Sequence, residues 1–287
     1  MNPTWTVYTK KTIMASHGLM VFLVLIFLGI NGCLWEDAHD RFLDQGDQAM
    51  SQGRFQEATT AYQNYLQQHP EGKERWKAWQ RLVTLSRDIF KDRDTAGKLL
   101  ASMYLEFGED HHHAVSILLQ QADLQREQGD TETALTTLEK GMALPHLSPE
   151  QQWELLSAQG KTAFQAQLFD RAHSSLVKAL PLAPDQPSYL ETAHLAGLAL
   201  VCMKDYDQAE QWLANVYGQA EPGVWRARMG LTRIDIAEHQ GRLTDALHLL
   251  QEIKPDYPNP RALEVRERAL AEKITSTSST PHAASRN

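Results

Sequence analysis

Apolar and polar positions along this chain recur with a long period. Alanines stand at Ala58, Ala96, Ala134, Ala172, Ala209 and Ala246, spaced by 38, 38, 38, 37 and 37 residues. Each is followed four positions later by a large hydrophobe: Tyr62, Leu100, Leu138, Leu176, Leu213 and Leu250. A spacing of four keeps both side chains on one face of a helix. Five residues before the alanine stands a turn glycine in three units (Gly53, Gly129, Gly241), and three before it an aromatic or aliphatic residue in four (Phe55, Phe169, Tyr206, Leu243). Twelve before it the side chain is small in four (Gly46, Ala122, Gly160, Gly197), which lets a second helix pass closely. Prolines at Pro70, Pro184 and Pro258 close units, because proline lacks the amide hydrogen and clashes with the preceding turn. The unit predicts helix, short turn, helix, stop, and a fixed period of this length predicts a stacked array. Strand-like alternation is scarce, so the fold class is all-α.

These spacings resemble the tetratricopeptide repeat, most clearly in the stretches from Phe42 to Pro70 and from Leu156 to Pro184. The resemblance covers about residues 39 to 260 and implies a right-handed α-solenoid of about six helix-turn-helix repeats. The family's usual period is 34 residues. The additional three or four are close to one helical turn, which keeps the buried face in register. Repeat two, from about Lys73 to Glu106, departs from the pattern. Thr84 stands where a small residue is expected and Arg93 where an apolar one is. The amphipathic segment from Arg261 to Ile274 predicts a capping helix over the last apolar face. The Ser/Thr-rich residues 275–287 predict a disordered tail.

The front of the chain has a different character. Lys10 and Lys11 precede an uncharged apolar run from Gly18 to Ile30, followed by Asn31, Gly32 and Cys33. A basic start, a run of 13 apolar positions and a small residue before the cut predict a signal peptide over 1–32. Ile30 to Cys33 resemble the bacterial lipobox, which implies acylation of Cys33 as the mature N-terminus. The alternative is an uncleaved membrane anchor, since no Asp, Glu, Lys or Arg occurs between Lys11 and Glu36. Several buried acyl chains, at about 0.8 kcal/mol per CH₂, hold a protein at a membrane. Residues 33–38 then form a lipidated N-terminus and linker, with the solenoid over 39–274. From Leu34 to Ala38 the linker reaches at most about 18 Å. Leu34 is not acidic, which by the sorting logic of Gram-negative lipoproteins implies the outer membrane, facing the periplasm. The alternative places the chain at the inner membrane by its uncleaved N-terminal helix.

Candidate chemistry is sparse. Cys202, the only other cysteine, is expected to be a packing residue. Asp110, His111, His112 and His113 suggest a metal site, but consecutive helical side chains diverge. A polar inter-repeat loop with Asp110 near a helix start explains them more simply. There is no Gly-rich phosphate loop, HExxH, GxSxG or CxxC pattern, so the expectation is a non-catalytic chain with no cofactor and no metal. Formal net charge is −8, becoming −10 without Lys10 and Lys11, which argues against nucleic acid.

The resemblance places ligand contacts on the concave surface lined by the first helix of each repeat, at positions two, five, nine, twelve and thirteen. With the repeating alanine as position twenty, positions five and nine are Leu43 and Asp47, Leu119 and Asp123, and Leu231 and Asp235 in repeats one, three and six. The other repeats give Arg81 with Leu85, Ser157 with Lys161, and His194 with Leu198. The Lys and Asn set of the family's carboxylate clamp is missing. The expected partner is a protein segment with apolar anchors and basic residues, bound in this groove. The implied function is a membrane-tethered scaffold in envelope complex assembly, pilotin-like or accessory to outer-membrane assembly. The alternative is an adaptor recruiting enzymes of peptidoglycan or exopolysaccharide metabolism. The partner, the host and the oligomeric state are left open by the sequence.

Overall fold

The computed structural model describes residues 41–278. The signal segment, Cys33 and its linker lie outside the described residues, as does the end of the tail beyond Ser278. Among the described residues every regular element is helical. The chain divides into two compact units near Leu105.

In the first unit, α1 (helical through 41–51) is followed by α2 (Phe55–Gln68), α3 (Arg75–Thr84) and α4 (Arg93–Phe107), whose last turn enters the second unit. A π-helical turn over Leu85–Ile89 extends α3. Its buried cluster joins Leu43, Ala58, Tyr62, Tyr65, Ala78, Leu82 and Leu85.

The second unit runs α5 (His111–Glu127), α6 (Thr131–Met142), α7 (Pro149–Gln165), α8 (Phe169–Ala179), α9 (Gln186–Cys202), α10 (Tyr206–Gln219), α11 (Val224–His239), α12 (Leu243–Ile253) and α13 (Pro260–Ser278). Helices α5, α7, α9 and α11 are the first, or A, helices of their hairpins, and α6, α8, α10 and α12 are the B helices. Each A helix packs on its own B helix and on the next A helix, so α5, α7, α9 and α11 share one face.

The repeating residues explain this packing. All six alanines are fully buried, and the hydrophobes four positions on are 0% or 1% exposed. The small residue twelve before the alanine lies directly against that hydrophobe. A Cβ added at Gly46, Gly160 or Gly197 would stand 2.5 Å from Tyr62, Leu176 or Leu213 respectively. The two helices of a hairpin therefore approach at their glycine and interlock through one large side chain.

Helix starts follow from side-chain caps. Asp110, Asp130, Asp185 and Asp205 each accept a backbone N–H of the first turn. Ser148 and Gln151 form a reciprocal capping box, with Pro149 opening α7. Pro181 tightens the end of α8 into a 3₁₀ turn, Leu180–Leu182. His111–His113 are thus the first turn of a helix capped by Asp110, rather than a loop.

Three expectations need correction. Thr84 does not occupy a close helix crossing: it is exposed, with its hydroxyl donating to the Gln80 carbonyl at 2.9 Å. The π turn adds one residue between Thr84 and Ala96, which shifts every upstream position by one. Val83, 3% exposed, takes the buried place. Cys202 is not a packing residue but is exposed at the last turn of α9. Partial desolvation pushes its thiol up, away from the thiolate. The capping helix starts at Pro260 and runs past Ile274 to Ser278, its end stabilised by Thr275 and Ser276 hydroxyls donating to the carbonyls of Glu272 and Lys273.

Candidate functional site

The three Leu and Asp pairs have different surroundings. Leu43 is 3% exposed and belongs to the buried cluster of the first unit, so it cannot line a groove. This corrects its assignment as a contact residue. Leu119 and Leu231 are half-buried against the clusters of the second unit.

The aspartates are engaged within the chain. Asp47 accepts from the Tyr62 hydroxyl at 2.7 Å and pairs with Lys77 at 2.9 Å and Arg81 at 3.5 Å on α3. Burial opposes its ionisation, but the Lys77 ammonium and the Tyr62 hydroxyl outweigh it and hold the carboxyl below its usual range. Burial and the Asp47 carboxylate together push the Tyr62 phenol up. Asp123 takes Arg126 of its own helix. Asp235 takes Arg266 of α13, which also reaches Glu238 at 2.6 Å. Asp47 and Asp235 thus join their A helix to the helix stacked after it.

Other positions expected to face ligand are also bonded across the A face. Arg126 Nη1 donates to Gln165 Oε1 at 2.9 Å, from α5 to α7. Lys161 pairs with Glu191 at 2.7 Å, from α7 to α9. His194 Nε2 lies 3.0 Å from Thr232 Oγ1, from α9 to α11. Burial, then the nearby Arg228, lower His194 to about 4.

Between these bonds lies an open cleft. Leu119 and Asp123 of α5, Ala158 and Lys161 of α7, and Leu195 of α9 surround a cavity of about 310 Å³, with Arg126, Phe164 and Gln165 at its edges. Its walls are mainly apolar and its rim carries charges of both signs. The structure therefore brings Leu119 and Asp123 into one cleft, places Asp235 in a separate cavity with Val201, Glu238, His239 and Arg266, and leaves Leu43, Asp47 and Leu231 outside both. Sequence reasoning missed Arg126, Gln165, Phe164 and Leu195. Arg126 and Phe164 fall at position twelve and Gln165 at position thirteen, which the family pattern names, so a signal existed for these three, and only Leu195 had none. Among the described residues there is no cluster of three or more His, Cys, Asp or Glu side chains able to hold a metal ion. No described helix is long and apolar enough to cross a membrane.

The tetratricopeptide repeat family model matches residues 116–140, from within α5 through most of α6. Among solved structures, the TPR-like repeats of a Podosopora anserina protein described as a kinesin light chain superpose with a TM-score of 0.55 at 15% identity, over 68% of this chain and 98% of that one. This is a tetratricopeptide-repeat fold. The Pseudomonas aeruginosa pilF protein gives 0.53 at 18% identity, over 80% of this chain and 98% of that one. The Cut9–Hcn1 hetero-tetramer gives 0.50 at 19% identity, over 81% of this chain and 42% of that one. No curated protein sequence matches this chain significantly.

Proposed function

We propose that this chain is a non-catalytic protein-binding scaffold tethered to the outer membrane through acylated Cys33 and facing the periplasm, where it assists assembly of an envelope complex in the manner of a pilotin or an outer-membrane assembly accessory. The observation that carries the reading is the cleft on the A face of the second unit. It offers apolar walls formed by Leu119, Ala158 and Leu195 within reach of Asp123 and Lys161. A mainly apolar recess with a few fixed polar groups suits one hydrophobic side chain of a polypeptide, with flanking backbone bonded at the rim. The tether rests on the lipobox-like residues Ile30 to Cys33. The partner class differs from the acidic-groove expectation. Asp47, Asp123 and Asp235 already hold cations, so apolar anchoring outweighs attraction to basic residues.

Photo-crosslinkers at Leu119 and Lys161 in the tethered protein test the cleft. One dominant polypeptide captured from both, and not from exposed Ser174 on α8, is the expected result. Equal capture from all three positions would sink the reading. Cys33→Ser tests the tether separately: loss of partitioning into the detergent phase supports acylation, and retained partitioning points to an uncleaved helix at the inner membrane.

A further inference from the structure

Helix α10 sorts its polar side chains by kind. Asp207 and Glu210 turn toward α11, where Asp207 accepts from the Gln240 amide at 2.8 Å and Glu210 pairs with Arg233 at 2.7 Å. Gln208, Gln211, Trp212 and Asn215 lie three or four residues apart and so share the other face. Together with His173 of α8 and Leu200 of α9 they line a cavity of about 420 Å³. No Asp, Glu, Lys or Arg lines it.

The aromatic wall is fixed in place. The Trp212 indole donates from Nε1 to the Ala193 carbonyl at 2.9 Å, and the His173 ring stands edge-on to it with centroids 5.5 Å apart. His173 Nδ1 lies 3.0 Å from the Ala196 carbonyl, an acceptor, so Nδ1 is the donor and Nε2 is the ring atom left to serve a ligand. Asn215 Oδ1 accepts from Gln219 at 2.8 Å, which leaves the Asn215 N–H groups as donors. Gln208 and Gln211 are exposed and bring both donors and acceptors.

Neutral amides beside a held indole select by exclusion. A charged ligand would lose hydration without gaining a counter-charge from the lining, and a wholly apolar ligand would cover amides without pairing them. A pyranose ring avoids both costs. Its C–H face is apolar enough to lie on an indole, and its hydroxyls both donate and accept. We propose that this cavity between α8, α9 and α10 binds uncharged carbohydrate, one sugar unit of a neutral glycan at a time. The volume falls within the range of about 300 to 1,000 Å³ common for small-ligand sites. The inference is independent of the cleft on the A face.

The test titrates the full-length chain, in a sugar-free detergent, with cellohexaose, maltohexaose and hexa-N-acetylchitohexaose, reading heat and the side-chain amide resonances of Gln208, Gln211 and Asn215. The expected result is saturable binding of at least one of the three, weakened tenfold or more by Gln208→Ala with Gln211→Ala. Both glutamines are exposed, so that variant keeps its fold, checked by an unchanged thermal melt. Trp212→Phe should also weaken binding. The proposal is overturned by no binding of any of the three at about 20 mM, or by binding that the double variant leaves unchanged. Equally tight binding of the anionic glycan polygalacturonate also overturns it. So does a crosslinker at Gln211 that captures a polypeptide while no sugar binds, since that assigns the face to a protein partner.

Discussion

At the residue scale, one backbone feature unites all six repeats. The residue five before the repeating alanine has a left-handed backbone every time: Gly53 (φ 71°), Lys91 (56°), Gly129 (83°), Gln167 (61°), Lys204 (63°) and Gly241 (73°). The next residue closes the turn by donating to the carbonyl five back in five repeats, as Asp130 does to Gln125 at 2.9 Å. In repeat two, Asp92 reaches six back to Ser86, because the π turn has added a residue. The left-handed region costs a residue with a Cβ about 1 to 2 kcal/mol. Gln167→Gly and Lys204→Gly should therefore each raise stability by about 1 kcal/mol, and Gly129→Ala should lower it by about as much, measured by urea unfolding. Only half of these turns were legible in the sequence. Lysine and glutamine carry no local sign that the surrounding bonds hold them left-handed. The helix crossing was more legible, since Gly46, Gly160 and Gly197 mark it directly. There Gly160→Ala should cost more than its gain of about 1 kcal/mol in helix propensity, because its Cβ would stand 2.5 Å from Leu176 Cγ and overpacking costs about 1 to 3 kcal/mol. A variant of wild-type stability would show that the two helices can part without loss.

At the element scale, the seam between α9 and α11 sets an acid limit on the second unit. Thr232 Oγ1 donates to the Arg228 carbonyl at 3.2 Å, so His194 Nε2 serves as donor to that oxygen. A proton added to the ring would place a second cation near Arg228 in a desolvated seam. The folded value near 4 lies below the ordinary 6.5, so the unfolded chain binds the proton first as pH falls. Stability contributed by neutral His194 is complete above about pH 6.5 and declines toward pH 4, by at most about 3 kcal/mol. His194→Gln should flatten that slope, and a slope unchanged in the variant would assign the acid sensitivity to other groups. The sequence marked His194 only as position five of repeat five. Its role depends on Thr232, 38 residues away, and a single period reveals such a partner only once successive A helices are known to pack. The same limit hid the cleft. The Leu and Asp repetition was visible, but Leu43 is buried and Asp235 is held by Arg266, facts that belong to packing between elements.

At the scale of the whole molecule, stability rests on buried alanine and leucine layers rather than on charge. Several ion pairs across the helices are substantially exposed, Lys161 with Glu191 at 47% and 45% among them, and such pairs contribute about 0 to 1 kcal/mol each. In a stacked array each layer is supported by its neighbours, so a loss at one end spreads only as far as local coupling carries it. Helix α13 tests this, because Leu263 and Leu270, at 3% and 1% exposure, cover the cluster containing Leu249, Leu250 and Ile253. Burying two leucines stabilises by about 1.5 to 3 kcal/mol each. Ending the chain at Asn259 should therefore remove about 3 to 6 kcal/mol from the layers beside α13. Hydrogen exchange should show amides of α11 and α12 losing protection by a hundredfold or more, while those of α5 to α8 change little. Arg266→Ala, which keeps both leucines and removes only the contacts to Asp235 and Glu238, should show a far smaller loss in the same helices. Uniform loss across α5 to α12 in the truncated chain would mean that the second unit opens as one block, and the layer-by-layer account would fail.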